Sequence, residues 1–425
     1  MQKEKIIQAF SGNFIEVLIG FGTIMFITRN YAQEQAGSYF LMMAIVAILN
    51  NLKEGFLQNG FIKFYVESEK DPSVLKSGLM LTWAWDLMNI LVFFTASRIV
   101  VALQPFVLFY IVQVVAYSHY RWVYFIHKSH LNLQTIFKVN LMVLVWSVSG
   151  LITIYLWELS MVYCLLLAGL AYGISTLSFP ANLRLLRSAI GSPIKRDQLG
   201  QLIHFGKYGL LKEVAGSISH HSGVLLSAYF LTLGETALLG LANRYAILIS
   251  IPGSSLSSLV YPVLLKIGIN PAQLKQTARE GMGKMYALLV PLCLSICLAA
   301  PAMIWLLHGQ EYAFAAVILI SRVMLTTFLL PLGTGFSSLM NVMNQPEKIT
   351  RLVLITSSVN ICLMLVLMPW VGIWGVMVAP VITEMVGFVI MKQGIAMIQL
   401  RISDIWIQMG QFWRFWLRKY VMKPT

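Results

Sequence analysis

Charge is what this sequence lacks. Only 11% of its 425 residues are charged, against roughly 25% in a soluble domain, so there is too little polar surface to wrap a water-soluble core. Acids are the scarcer sign, with 17 Asp and Glu against 31 Lys and Arg, for a net charge of +14. The basic residues are scattered between apolar segments instead of gathered in one domain, which excludes a nucleic-acid-binding reading. Cysteine is also sparse. Cys164, Cys293, Cys297 and Cys362 all fall inside apolar segments, so they do not form an extracytoplasmic disulfide framework. Cys293 and Cys297 stand four apart with no histidine or second pair nearby, and no metal site is expected. Nor is there a nucleotide motif: GMGKM at Gly281 to Met285 lacks the full glycine loop and the hydroxyl residue after Lys that a phosphate loop requires. A secretory leader is not expected either. Lys3 and Lys5 do precede an apolar stretch, but that stretch carries Glu16 and Arg29 and no small-residue cleavage pattern.

What is present is lipid-soluble chain. Hydrophobic residues make up 58% of the sequence and mean hydropathy is +0.75. Leu87–Ala96, Leu141–Leu156, Val162–Leu177 and Leu352–Leu367 are apolar at every helical angle, as expected where lipid or packed helices lie on all sides. The predicted fold class is an all-α integral membrane protein of about twelve transmembrane helices in two six-helix bundles around a central cavity. The expected spans are 7–28, 37–58, 77–97, 103–125, 138–157, 160–180, 205–231, 236–260, 284–307, 313–341, 350–369 and 371–391. With these spans the Lys and Arg of the loops, Arg121 among them, divide roughly twenty-five to two between the two sides, Arg29 and Arg98 being the two. That bias predicts cytoplasmic termini and a multi-pass protein of the bacterial inner membrane.

The expected organisation is an N-terminal bundle over 1–183, a cytoplasmic linker over 184–204, a C-terminal bundle over 205–392 and a tail over 393–425. In the tail, Ile402, Ile405, Trp406, Met409, Phe412, Trp413, Trp416, Leu417, Tyr420 and Val421 recur at helical spacing opposite Gln408, Gln411, Arg414, Arg418 and Lys419. This pattern predicts a helix lying along the cytoplasmic interface. A faint duplication links the halves. Leu156 to Tyr163 aligns with Met368 to Gly375, and the turn ending at Gly37 is similar to the one ending at Gly240. Both run in the same direction, as in transporters built from parallel repeats.

Charges deep in a bilayer are costly and are candidate sites by default. Arg244 projects roughly 14 Å below the outer end of its span, and Arg322 to a similar depth. Lys53 and Glu54 sit near the inner end of the second span, and Lys212 and Glu213 about a third of the way up the seventh. Lys53, Lys212, Arg244 and Arg322 are the candidate cationic contacts for an anionic substrate. For Arg244 the alternative is a structural pair with Glu384 or Asp86. Glu16, Asp86, Glu213 and Glu384 are read as counter-ions first and cation-coupling carboxylates second. His220 and His221 are adjacent and point about 100° apart on a helix, which disfavours zinc; His220 shares a face with Glu213 and Ser217 and is a candidate for proton linkage. Asn13, Glu16, Gly20 and Thr23 form a further stripe, a cavity wall or a close helix contact.

Several stretches resemble one family, the Wzx-type polysaccharide flippases of the MOP superfamily, relatives of the MATE exporters and the lipid II flippase. They are FITRNYAQEQAGSYF (Phe26 to Phe40), AYFLTLGETALLGLANRYAILISIPGSSLSSLVYPVLLK (Ala228 to Lys266, with Pro262 after Tyr261), HGQEYAFAA (His308 to Ala316) and LMNVMNQPEKITR (Leu339 to Arg351). The sequence departs from the family where helix seven commonly ends in an Asp-Arg-like pair; here it reads His220, His221, Ser222, Gly223. The resemblance implies a flippase that moves an undecaprenyl-diphosphate-linked oligosaccharide across the inner membrane by alternating access. A cationic cavity would hold sugar and diphosphate, with membrane lipid around the polyprenyl tail. No cofactor is expected beyond Na+ or H+ coupling, and the polysaccharide polymerase machinery is the expected partner. The rivals are a cation-coupled MATE-like drug exporter, which calls for a dominant acidic site, and a membrane enzyme, which calls for a long catalytic loop that this chain lacks.

Overall fold

The computed structural model describes the chain except residues 1, 69–70, 130–131, 250–270, 344, 397–399 and 421–425, and leaves aside the side chains of 2–14, 59, 133, 208, 212, 271, 346 and 415–420. Lys212, Asn13, Tyr261, Pro262 and the tail beyond Arg414 therefore lie, wholly or in their side chains, outside the described residues. Helices run throughout: α1 (Gln2–Asn30), α2 (Gln33–Glu67), α3 (Pro72–Ile99), α4 (Val107–Ser129), α5 (Leu133–Leu156), α6 (Tyr163–Leu177), α7 (Pro180–Gly191), α8 (Arg196–Phe230), α9 (233–249), α10 (Pro271–His308), α11 (Ala313–Val342), α12 (Pro346–Val371), α13 (Ile373–Ala396) and α14 (Ile402–Tyr420). No strand occurs among the described residues. Each expected span falls on a helix of its own, with 250–260 of the eighth undescribed. Eight of the described helices are long and apolar enough to cross a membrane, and the bent α6–α7 pair would make a ninth.

Several helices outrun their expected spans. α2 has 35 residues and α10 has 38, so at about 1.5 Å per residue both far exceed the roughly 30 Å of a hydrocarbon core. Hydropathy marks only the stretch in lipid. The excess carries charge in i,i+4 pairs, Lys63 with Glu67 at 3.9 Å and Lys284 with Glu280 at 3.7 Å, which suits helix that continues into water.

The chain forms two compact units, Met1–His221 and Ser222–Thr425. In the first, α1, α4, α5 and α6 pack together and α3 packs on α2, α4 and α7. In the second, α10 packs on α11 and α14, and α13 on α11 and α12. The stretch 184–204, expected as a linker, is mostly helical, with only Ser192–Lys195 between α7 and α8. The duplicated turns share a backbone device: Glu158, between α5 and α6, and Gly372, between α12 and α13, both adopt positive φ (50° and 61°), although two places apart in the alignment.

The tail helix α14 departs from a purely interfacial reading. Ile405 is fully buried and Trp406 stacks on Tyr286 of α10 at 4.8 Å. Ile405, Trp406 and Met409 pack into the second unit's own core, and Ile407, Gln411 and Arg414 are left exposed.

A polar tie closes one end of the first unit. Asp71 caps α3, accepting from the Ser73 amide at 2.9 Å with Pro72 in the first turn. Its other oxygen accepts from Lys195 at 2.7 Å and from Gln198 at 3.2 Å. The Lys195 ammonium, and then the Ser73 amide, hold the Asp71 carboxyl well below the usual carboxylate range. A depressed carboxylate stabilises the fold at every pH above its unfolded value, about 3.9, and loses that contribution as pH falls through its lower folded value. Asp71→Ala should therefore unfold about 1 kcal/mol more easily than wild type, the usual cost of a lost cap. The gap should be constant from pH 7 to 5 and close only below about pH 4; denaturant titration in detergent measures it.

Candidate functional site

Four deep charges of the first unit are neutralised in two pairs from within. Lys53 of α2 and Asp86 of α3 are 2% and 3% exposed, and the ammonium donates to the carboxylate at 2.8 Å. Ser118 of α4 joins them, donating to Asp86 at 2.6 Å and accepting from Lys53. Glu54, one residue on and so about 100° around the helix, serves a different partner, Arg121 of α4, at 2.5 Å. Arg121, counted among the inner-side charges and inside the expected span 103–125, lies within α4 with its guanidinium over the Tyr124 ring at 4.7 Å. Glu16 of α1 accepts from the Tyr120 hydroxyl at 2.6 Å and the Asn140 amide at 3.4 Å, and the Arg121 guanidinium of α4 attracts it electrostatically.

The seam that holds Lys53 contains groups the sequence analysis passed over. Asn89, one turn above Asp86, and Tyr110 and Gln113 of α4 are buried. Neither amide atom of Asn89, nor the Tyr110 hydroxyl, nor Gln113 Oε1, nor Asp86 Oδ2 has a hydrogen-bond partner. Each such atom costs roughly 1–3 kcal/mol, so this seam is held at the expense of stability. The signal was an Asn three residues from an Asp in an otherwise apolar run.

Glu213 of α8 packs its side chain against Gly55 of α2. His220 is exposed, and its ring meets His221 edge-on at 4.8 Å. Lys212 lies on α8.

The second unit is arranged differently. Arg322 of α11 is half-buried, donates to the Val376 carbonyl of α13 at 3.4 Å and passes close to Gly223. Glu384 of α13 attracts it electrostatically, but no direct ion pair forms between them. Nearby on α8, Ser222 accepts from the Asn360 amide of α12 at 3.4 Å. Arg244 is half-buried on α9, beside the buried Tyr245. Thus Lys53 is brought together with Asp86, and Arg322 is brought near Glu384. No group of three or more His, Cys, Asp or Glu able to hold a metal occurs among the described residues.

A family model described as a polysaccharide biosynthesis protein matches residues 36–317. The chain belongs to that family. Its fold is shared with solved membrane proteins of two kinds. The lipid II flippase MurJ, in an inward closed conformation, superposes with a TM-score of 0.70 at 14% identity, over 99% of this chain and 93% of MurJ. An inward-facing multidrug resistance MATE transporter of the MOP superfamily gives 0.71 at 14% identity, over 93% of this chain and 99% of that one. A variant of the Vibrio cholerae MATE transporter VcmN gives 0.60, also at 14% identity, over 97% of each. A search of curated proteins by sequence finds no match. The family is therefore one of polysaccharide biosynthesis, and the fold is one that MurJ and MATE structures share.

Proposed function

We propose that this polysaccharide biosynthesis protein is a flippase for an undecaprenyl-diphosphate-linked oligosaccharide, working by alternating access in the bacterial inner membrane with both termini cytoplasmic. The observation that carries the reading is the half-buried Arg322, a deep guanidinium without a direct acidic partner among the described residues, in a chain of the polysaccharide family. A guanidinium fork in a water-poor setting grips phosphate oxygens in pairs. Arg244 is its proposed companion on α9. Lys53, occupied by Asp86, is assigned instead to holding α2 and α3 together. Without a nucleotide motif, the drive is an ion gradient, the membrane potential or consumption of the product outside.

Deletion should leave the lipid-linked oligosaccharide on the cytoplasmic face, and the wild-type gene should restore its outward movement; unchanged sidedness overturns the reading. Arg322→Ala and Arg244→Ala should each abolish complementation at wild-type membrane levels. Full activity in either variant removes that residue from the site. Drug resistance conferred by the protein, with lipid sidedness unaffected, would favour a MATE-like exporter.

A further inference from the structure

α7 lies across the direction of the helix before it. α6 is 15 residues of uncharged chain, roughly 22 Å long, and the axis turns by 87° between α6 and α7. With α6 taken as the body of the expected span 160–180, a helix perpendicular to it runs along the membrane surface.

Three contacts fix how α7 is rotated. Asn182 donates to the Thr176 carbonyl at 2.8 Å and pairs with His127 Nε2, also at 2.8 Å. Lys76 donates to the Ile190 carbonyl at 2.9 Å, satisfying the helix's C-terminal end. Asn182 and Ala189 are buried, and Leu185 and Leu186 pack on the core of Phe61, Trp122 and Ile126. With that side inward, 100° per residue puts Arg184 and Arg187 on the opposite face, where both are exposed. Leu183 and Ile190 lie along one flank, Ala181 and Ser188 along the other. Ile190 is 51% exposed, and Ile194, just beyond the helix, 46%.

Among the described residues the arginines of this helix have no acidic ion-pair partner. α7 contains no acidic residue, and Asp71, at the same end of the unit, is engaged by Lys195 and Gln198. A basic outer face between an apolar flank and a small polar one is the pattern of a helix seated in the headgroup layer.

We propose that α7 is a lipid-docking helix: Arg184 and Arg187 bind the headgroups of anionic phospholipids, while Ile190 and Ile194 enter the acyl boundary. The ligand is bulk anionic phospholipid and not the diphosphate of a carried substrate, because the two arginines stand on the outward face of a surface helix with no wall around them. The inference does not depend on the flippase reading. Each arginine near an anionic surface should be worth roughly a fivefold preference.

The test uses the full-length protein in nanodiscs of phosphatidylcholine mixed with phosphatidylglycerol, with co-purifying lipid counted by native mass spectrometry. Wild type should retain phosphatidylglycerol preferentially. Arg184→Gln/Arg187→Gln should lose roughly tenfold or more of that preference, and Arg184→Lys/Arg187→Lys should keep most of it. Spin labels on Ile190→Cys and Ser188→Cys, in a background with the four natural cysteines replaced by alanine, test the seating with both arginines in place. The label at 190 should favour oxygen over a water-soluble nickel relaxant, and the label at 188 the reverse. A folded Gln variant with unchanged lipid preference, or equal water access at both labels, overturns the proposal. If the Gln variant does not fold, the labels alone decide.

Discussion

Lys53→Met should destabilise the protein by about 3–5 kcal/mol, the cost of leaving one member of a buried pair without its partner. Removing the ammonium leaves Asp86, 3% exposed, as a charge in the bundle with only the Ser118 hydroxyl against it. The carboxylate must then take up a proton or draw water into the packing. Asp86→Leu alone should cost a similar amount by stranding Lys53. The double variant should recover most of the loss, because replacing both members of a buried pair with apolar groups is often neutral or better. Unfolding in mixed micelles measures all three, and a double variant no better than the worse single one would mean that the pair is not the stabilising unit. The same cycle tests the functional assignment. A stabilised double variant that still complements places Lys53 in the scaffold; one that folds and fails returns it to the substrate path.

Gly209→Val should separate α2 from α8. A Cβ at Gly209 would overlap the Gly55 carbonyl oxygen outright, and one at Gly206 would come within 2.6 Å of the Phe56 carbonyl oxygen. The obstacle is backbone, which cannot swing aside as a side chain does. Close crossings of this kind are built on small residues in membranes. Overpacking typically costs 1–3 kcal/mol; a branched side chain at a backbone contact should reach about 3 kcal/mol or more, with loss of folded protein from detergent extracts as the readout. Gly191→Val is the control, since nothing stands within 4 Å of a Cβ there, and it should extract like wild type.

The helices were legible because apolar runs of spanning length have few other uses, and each expected span does meet a helix. Their ends were not, because α2 and α10 keep their backbone hydrogen bonding after their composition turns polar. Which charges pair was not legible either. Lys53 and Asp86 stand 33 residues apart and Glu54 and Arg121 67 apart, and only the packing of α2 on α3 and α4 brings them together. Arg121 counted among the inner-side charges although it falls within the expected span 103–125, and nothing in the sequence tied it to Glu54. α7 read as linker because Arg184, Arg187, Gly191 and Pro193 interrupt it. Yet Pro180 at its start, Gly191 at its end and the spacing of Asn182, Leu185, Leu186 and Ala189 spelled a short amphipathic helix. For α14 the period was right, and what it could not tell was that Ile405 and Trp406 would pack on the second unit's core, Trp406 against Tyr286 of α10.

An electric field does work of roughly 2.3 kcal/mol on an elementary charge carried through each 100 mV. Lys53 tied to Asp86, and Arg121 tied to Glu54, would carry both signs through that field together, so the work on each couple cancels. Whatever current accompanies a transport cycle must then be borne by the cargo, a co-transported ion or charges outside these couples.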